Sequence, residues 1–446
     1  MAFGSGTWTV QNKVLPGTYI NFTSAAKASA ALSERGFAAM PLTLDWGPEN
    51  QIFTVTNADF QKDSLKIFGH AYADKAMLPL RELFRGAKTL YAYRINGGGE
   101  RAQNTYASAR FTGICGNRIS TVIAKNEDDS TLFDVSTYYD TEEIDRQTVA
   151  ASSELEANDF VTFKADAELA VTARTPLAGG TNGQTGKAAY QSFLEKIESY
   201  SFNTLGCPSE DADVINLFIA FTKRMRDELG VKFQTVIFNP AENTNLADSE
   251  GIIEAGNEIT DYDIEAAGLG KFALVYWITG ASAGCAVNKS NTNKLYDGEL
   301  KVSTEHTQAG LEKALKSGRF MLHSVNGAVK VLEDINSLIT VSEEKGEDFK
   351  SNQTVRVCDQ LANDIAVLFS SRYLGIIPND AAGRISLWND ICKICGQLAD
   401  IRALEGFDTE TVNVEQGDTK KSVVCQIRGL NITNAMAQLY MNIIVM

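Results

Sequence analysis

Gly318-Arg-Phe-Met-Leu-His-Ser-Val-Asn-Gly327 opens a C-terminal third that continues through Val329-Lys-Val-Leu-Glu-Asp-Ile-Asn-Ser-Leu-Ile-Thr340 and Asn352-Gln-Thr-Val-Arg-Val-Cys-Asp359, and ends on Leu439-Tyr-Met-Asn-Ile-Ile-Val-Met446. The closing run decides the reading. It is apolar and rich in β-branched residues, a composition that suits a pleated strand. It stands at a chain end, where a segment is ordered only if something ties it down. Alternation puts Leu439, Met441, Ile443 and Val445 on one face, and Tyr440, Asn442, Ile444 and Met446 on the other. Both faces are largely apolar, the pattern of a strand covered on both sides. Its unpaired N–H and C=O groups call for a sheet edge to pair with. A second such segment lies at the other end: Trp8, Val10 and Val14 lead into Tyr19-Ile20-Asn21-Phe22, with Pro16-Gly17 as a kink.

Between these arms the chain reads as α/β and α+β units around an inserted β-sandwich-like module. Residues 1–22 form the N-terminal arm and 23–97 a small α/β unit, with strands at 36–42 and 89–95 and helices at 60–67 and 77–84. Residues 98–182 carry short strands at 119–124, 132–138 and 160–163, separated by Asp and Asn clusters, as a sandwich would. Residues 183–300 alternate helices (189–200, 212–229, 271–287) with strands (233–238, 251–255), which predicts a sheet covered by helices. The helix over 212–229 places Ile215, Phe218, Phe221, Met225 and Leu229 on one face. Residues 301–435 read as an α+β domain and 436–446 as the C-terminal arm. In that domain Val357, Leu361, Ile365 and Leu368 make one helical stripe. Ile385, Trp388, Cys392, Cys395 and Leu398 make a second, and strands follow at 411–415 and 423–427.

The order of several motifs resembles the contractile-tail sheath proteins, most closely the short sheaths of Gram-positive phages and PBSX-like defective prophages. The residues that carry it are Leu15-Pro-Gly-Thr-Tyr-Ile-Asn-Phe22, Arg35-Gly36, Leu44-Asp-Trp-Gly-Pro48, Gly116-Asn117, Leu177-Ala-Gly-Gly180, Asp334-Ile-Asn-Ser-Leu338, Arg356, Asp359 and the terminal Tyr440-Met441 strand. The resemblance implies a structural subunit that polymerises as a helical tube around an inner tail tube, meets a baseplate, and contracts without nucleotide hydrolysis. It implies a place in the virion tail, with assembly in the host cytoplasm. It also implies that the arms join neighbouring sheets. The assembly residues are then Trp8, Val10, Val14, Tyr19, Ile20 and Phe22 at one end, and Leu439, Tyr440, Met441, Ile443, Ile444 and Val445 at the other. A C-terminal-domain helix meets the tube in that family. Taking it as 380–402 with the Trp388 stripe inward puts Arg384, Asp390 and Lys393 toward the tube. The sheath of a related secretion or bacteriocin-like particle fits the same residues. So does an enzyme whose site gathers at the strand ends of 184–300.

Composition agrees with an assembling protein. A chain of 446 residues, 44% hydrophobic and 22% charged, holds folded domains. A net charge of -15 disfavours nucleic acid as a partner. No run approaches the ~18 apolar residues of a membrane span. Seven scattered cysteines suit a reducing compartment. No signal peptide is visible at the start.

Four sequence patterns could carry chemistry. Cys392 and Cys395 fall on the apolar stripe with Trp388, without two further zinc ligands nearby, and read as core. Gly180-Thr-Asn-Gly-Gln-Thr-Gly-Lys-Ala188 lacks the first glycine and the hydroxyl of a phosphate loop. His70, His306 and His323 lie far apart in sequence, and no nucleophile elbow accompanies them. Asp128-Asp129, Glu142-Glu143 and Glu343-Glu344 read as solvated turns. No catalytic residue, cofactor or metal is assigned on these patterns.

Overall fold

The computed structural model describes residues 32–240, 244–260 and 269–445. The expected N-terminal anchors Trp8, Val10, Val14, Tyr19, Ile20 and Phe22 lie outside the described residues. The described residues form two compact units, one of residues 32–33 with 361–431, the other of those between 34 and 360 with 432–445.

The larger unit opens with β1 (Phe37–Leu42), β2 (Ile52–Thr56), α1 (Asn57–Phe68), α2 (Leu78–Phe84) and β3 (Thr89–Arg94). Thr56 and Asp59 cap α1 reciprocally, and Gly69 ends it at φ 72, a left-handed value that glycine adopts without a Cβ penalty. The chain then leaves the sheet for β4 (Ala107–Ala109), β5 (Ile119–Lys125), β6 (Phe133–Tyr139), β7 (Glu142–Val149), β8 (Val161–Phe163) and β9 (Thr172–Pro176). These make a four-stranded sheet in the order β7-β6-β5-β9 and a pair β4-β8. Tyr139, Phe160 and Val161 meet Ala107, Ile119 and Leu177 in its core. Glu142 and Glu143 begin β7 rather than lie in a turn, which corrects the sequence reading.

The chain returns through α3 (Lys187–Ile197), β10 (Thr204–Gly206), α4 (Ala212–Lys223), β11 (Gln234–Phe238), β12 (Ile252–Ala255), α5 (Leu274–Gly284), α6 (Gln308–Lys316) and β13 (Arg319–Phe320). The main sheet runs β13-β12-β11-β10-β1-β3-β2. All its pairings are parallel except that of β2 with β3. One face carries α1, α2 and α5 around Phe60, Leu83 and Trp277. The other carries α3 and α4 around Phe193 and Phe218. Leu229, expected on the buried face of 212–229, is exposed, because regular helix gives way to a wider turn at Arg224–Glu228. β14 (Leu322–Val325) and β15 (Ala328–Val331) form a hairpin. Asn326 and Gly327 turn it with φ 51 and 79, the signature of a type I′ turn.

Helix α5 packs unusually close to α2. A Cβ on Gly280 would lie 1.9 Å from the Leu83 carbonyl oxygen, and one on Gly284 2.0 Å from that of Gly86. Gly280→Val is therefore expected to lower stability by about 1–3 kcal/mol through overpacking, read as a lowered urea midpoint with unchanged slope. A wild-type midpoint would show that the two helices separate freely.

Helix α7 (Asn352–Leu368) is followed in the smaller unit by α8 (Ala381–Asp400), β16 (Val412–Gln416) and β17 (Val423–Ile427). The two strands pair antiparallel, and β16 packs on α8. The buried stripe of α8 is Leu387, Ile391, Cys392, Ile394, Cys395 and Leu398. Ile385, expected to face the core, is 60% exposed. Burial pushes the Cys395 thiol up to about 12, so the Cys392/Cys395 pair packs as apolar matter, as the sequence suggested.

Candidate functional site

The end of the chain is tethered at one point and bare beyond it. At the start of α7, Gln353 Nε2 donates to the Thr433 carbonyl at 2.9 Å, and its Oε1 accepts from Ala435 N at 3.0 Å. Asn434 meets Thr354 Oγ1 at 3.1 Å. Past this clamp, Leu439, Tyr440, Met441, Ile443, Ile444 and Val445 are all exposed, Ile443 at 71%. Residues 433–445 have no strand assignment. Of the strand expected at 439–446, the described residues 439–445 form no strand pairing within the described residues of the subunit.

Helix α7 is itself held by buried charge. Arg356 Nη2 meets Asp334 Oδ2 at 3.2 Å, and its Nη1 donates to the Lys289 carbonyl at 2.7 Å. Asn352 Nδ2 donates to Asp334 Oδ1 at 2.9 Å. Arg226 grips Asp359 with both Nη atoms, at 2.7 and 2.9 Å, and lies 3.6 Å from Glu250. All five charged side chains are buried. Asp334, Arg356 and Asp359, prominent in the sequence as a spaced motif, therefore fix the helix from which the terminal segment hangs.

In the smaller unit, Asp380 caps α8 by accepting from Gly383 N at 2.8 Å. Of the residues expected to face a tube, Lys393 is exposed. Arg384 Nη1 donates to the Asn379 carbonyl at 3.1 Å. Asp390 is half-buried, paired with Arg372 at 2.7 Å and accepting from Tyr373 Oη, so it is turned partly into its own unit. The sequence reading missed four exposed apolar side chains here: Val367, Leu374, Ile376 and Ile385. The run Leu374-Gly-Ile-Ile377 was their only signal.

The glycine-rich 180–188 segment is hydrogen-bonded in place. Gly180 N donates to Asn117 Oδ1 at 2.8 Å, Gly183 N donates to the Asn96 carbonyl at 3.0 Å, and Lys187 pairs with Asp213. His306 meets Asn257 Nδ2 at 3.3 Å, and His323 is half-exposed in β14. His70 differs. Its Nε2 lies 3.3 Å from Asp45 Oδ2 and 3.5 Å from Cys115 Sγ. The bond to Asp45 holds the imidazole up, at about 9, and the Asp45 carboxyl below its ordinary range. Asp45 and Cys115 share one ring nitrogen. A nucleophile triad needs nucleophile and orienting acid on opposite ring nitrogens; Asp74 Oδ2, 3.7 Å from Nδ1, is beyond hydrogen-bond reach, and Cys115 is only 1% exposed. Sequence spacing gave no hint of this cluster.

Four profiles of one family cover the chain in order. The tail sheath protein domain III N-terminal region matches residues 35–95, and the phage tail sheath beta-sandwich domain residues 85–182. The phage tail sheath central domain matches residues 183–337, and the C-terminal domain residues 344–446. The XkdK protein of the phage-like element PBSX of Bacillus subtilis is 31% identical over 98% of this chain and 99% of its own. The chain belongs to the phage tail sheath family. Solved sheath tail proteins agree with the subunit's fold. One from Desulfitobacterium hafniense is 35% identical with a TM-score of 0.76, covering 90% of this chain and 93% of its own. One from Listeria innocua is 31% identical with a TM-score of 0.78, covering 92% and 95%. The helical sheath of the anti-feeding prophage in its contracted state shares the fold at 13% identity and a TM-score of 0.55, over 97% and 99%. This chain is a structural sheath protein with the PBSX-like kind of subunit.

Proposed function

We propose that the subunit polymerises as a helical homopolymer around an inner tube, seated on a baseplate, and that the lattice contracts to drive the tube through a bacterial envelope with no enzymatic step. The observation that carries this is the tethered, bare apolar segment at 436–445. An extended apolar strand that finds no partner at home completes a neighbour's sheet edge. The N-terminal residues Trp8 to Phe22 supply the second arm. Two arms per subunit, repeated with a rotation and a rise, give a connected tube. Family membership supports the tube, the baseplate and a tail location. No helix among the described residues is long and apolar enough to cross a membrane. Electron microscopy of the purified full chain, with and without a tube protein, tests the reading. Tubes or rings are expected; monodisperse particles under all conditions would count against it.

Tube contact is assigned to α8 through Arg384 and Lys393. Reversing both to Glu is expected to weaken binding to the tube by about tenfold or more at low salt. Added salt should weaken the wild type, because exposed charges are screened over about 10 Å at 0.1 M. Binding that ignores both salt and reversal would move the contact elsewhere, and the exposed Leu374, Ile376 and Ile385 would then be the next residues to alter.

A further inference from the structure

We propose that Asp45, His70 and Cys115 form a zinc-type divalent-cation site that staples the β-sandwich to the α/β core. The three ligand atoms lie within 4.8 Å of one another. Tetrahedral zinc with Zn–S near 2.3 Å and Zn–N and Zn–O near 2.0–2.1 Å requires an N···S edge of about 3.5 Å and an N···O edge of about 3.3 Å. The observed edges are 3.5 and 3.3 Å. Thiolate, imidazole and carboxylate together select zinc over calcium or magnesium, which want oxygen alone.

Each ligand is aimed by a neighbour, as a metal site requires. Asn182 Nδ2 holds Asp45 Oδ1 at 2.7 Å, which leaves Oδ2 to face the cluster. The same Asn182 accepts from Ile114 N, next to Cys115, at 3.2 Å. Asp74 Oδ2 lies 3.7 Å from His70 Nδ1, on the far side of the ring from the cluster. His70 directly follows the left-handed Gly69 that ends α1, and a Cβ on Gly69 would lie 2.9 Å from Cys115 Sγ. Tyr139 Oη donates to the Gly69 carbonyl; with three protein ligands, the fourth position of the proposed ion would be taken by water. A cavity of about 60 Å³, lined by Asp45, His70, Met77 and Tyr276, adjoins the site, room enough for one.

The ligands come from the turn after β1, the end of α1 and the turn before β5. The first two belong to the α/β core and the third to the inserted module, so one ion crosslinks parts joined otherwise by hydrogen bonds and packing. The site does not depend on assembly, and failure of either proposal leaves the other standing.

The test uses the purified full chain, stripped with chelator and titrated with Zn2+ by calorimetry and with Co2+ by absorption. Expected are one equivalent of metal per chain, a thiolate-to-cobalt charge-transfer band, and a melting temperature raised by about 3 °C at ~100-fold excess of Zn2+ over its Kd. Cys115→Ser and His70→Ala should each remove the band. Cys392→Ser/Cys395→Ser, outside the site, should keep it. Should either site variant fail to fold, Asp45→Asn and the wild-type titration carry the decision. No metal bound by the wild type, or a band that survives Cys115→Ser or disappears with Cys392 and Cys395, would overturn the assignment.

Discussion

Deleting residues 437–446 is expected to abolish tube formation while leaving the melting temperature within about 2 °C of wild type. The two halves of that expectation come from the same side chains. Leu439, Tyr440, Met441, Ile443, Ile444 and Val445 are exposed in the subunit, so their removal costs the monomer almost no buried apolar area. In a lattice each large apolar anchor that becomes covered contributes roughly 1.5–3 kcal/mol, and every subunit makes the contact. Reach is sufficient: from Ala435, which Gln353 holds, ten extended residues span up to about 33–36 Å. Ile443→Pro should act like the deletion, because proline removes a ladder donor and fits poorly in a central strand. Amide exchange separates donation from internal packing. Fast exchange at 439–445 in the subunit and slow exchange in the tube is the expected pair. A truncated chain that still polymerises, or protection already present in the monomer, would remove the arm from the mechanism.

The longer interior strands were legible in the sequence, and most edge strands were not. Strands β1, β3, β11 and β12 lie inside the main sheet, and β5 and β6 inside the sandwich sheet; each shows as an apolar or alternating run. Among the strands that escaped notice, β2, β7 and β9 lie at sheet edges, whereas β10 is interior but only three residues long, Thr204–Gly206, too short for a periodic run to show. Glu142-Glu-Ile-Asp-Arg-Gln-Thr-Val149 reads as a charged turn because an edge strand carries charge to discourage further pairing. On α8 the sequence offers two overlapping apolar stripes. The stripe through Ile385 and Trp388 places Cys392, Cys395 and Leu398 correctly, but Leu387, Ile391 and Ile394 share their inward face and Ile385 does not. A helix apolar over so wide an arc does not fix its own rotation. Asp45, His70 and Cys115 stand 25 and 45 positions apart. Only the closing of the sandwich against the end of α1 brings them together, and no local pattern records that.

The buried cluster at Arg226 gives the largest expected loss of subunit stability. Arg226→Ala should cost about 3–5 kcal/mol, because it strands Asp359 as an uncompensated buried carboxylate and leaves Glu250 with Lys345 alone. It also leaves the Phe233 carbonyl without the Nη1 donor that it has at 2.6 Å. The fit is tight: a Cβ on Gly251 would lie 2.5 Å from Arg226 Cδ, so glycine there makes room for the arginine stem. The pair itself need not be stabilising overall. Arg226→Met with Asp359→Leu should recover most of the loss, since an apolar replacement of similar volume escapes desolvation, and the double-mutant cycle measures the coupling. Acid adds a second signature. Burial raises the Glu250 carboxyl, but Lys345, at 2.8 Å, and Arg226 together hold it below its ordinary range. A depressed carboxylate contributes stability that is complete above its unfolded value, about 4.3, and is lost as pH falls through its folded one. Without Arg226 the folded value rises, so the variant should begin to lose stability at a higher pH than wild type. Denaturant midpoints taken between pH 7 and pH 3 would show this. An Arg226→Ala chain with wild-type stability and an unchanged acid profile would mean that the Arg226 cluster does not hold α7, and the anchor of that helix would have to be sought in Asp334 and Arg356.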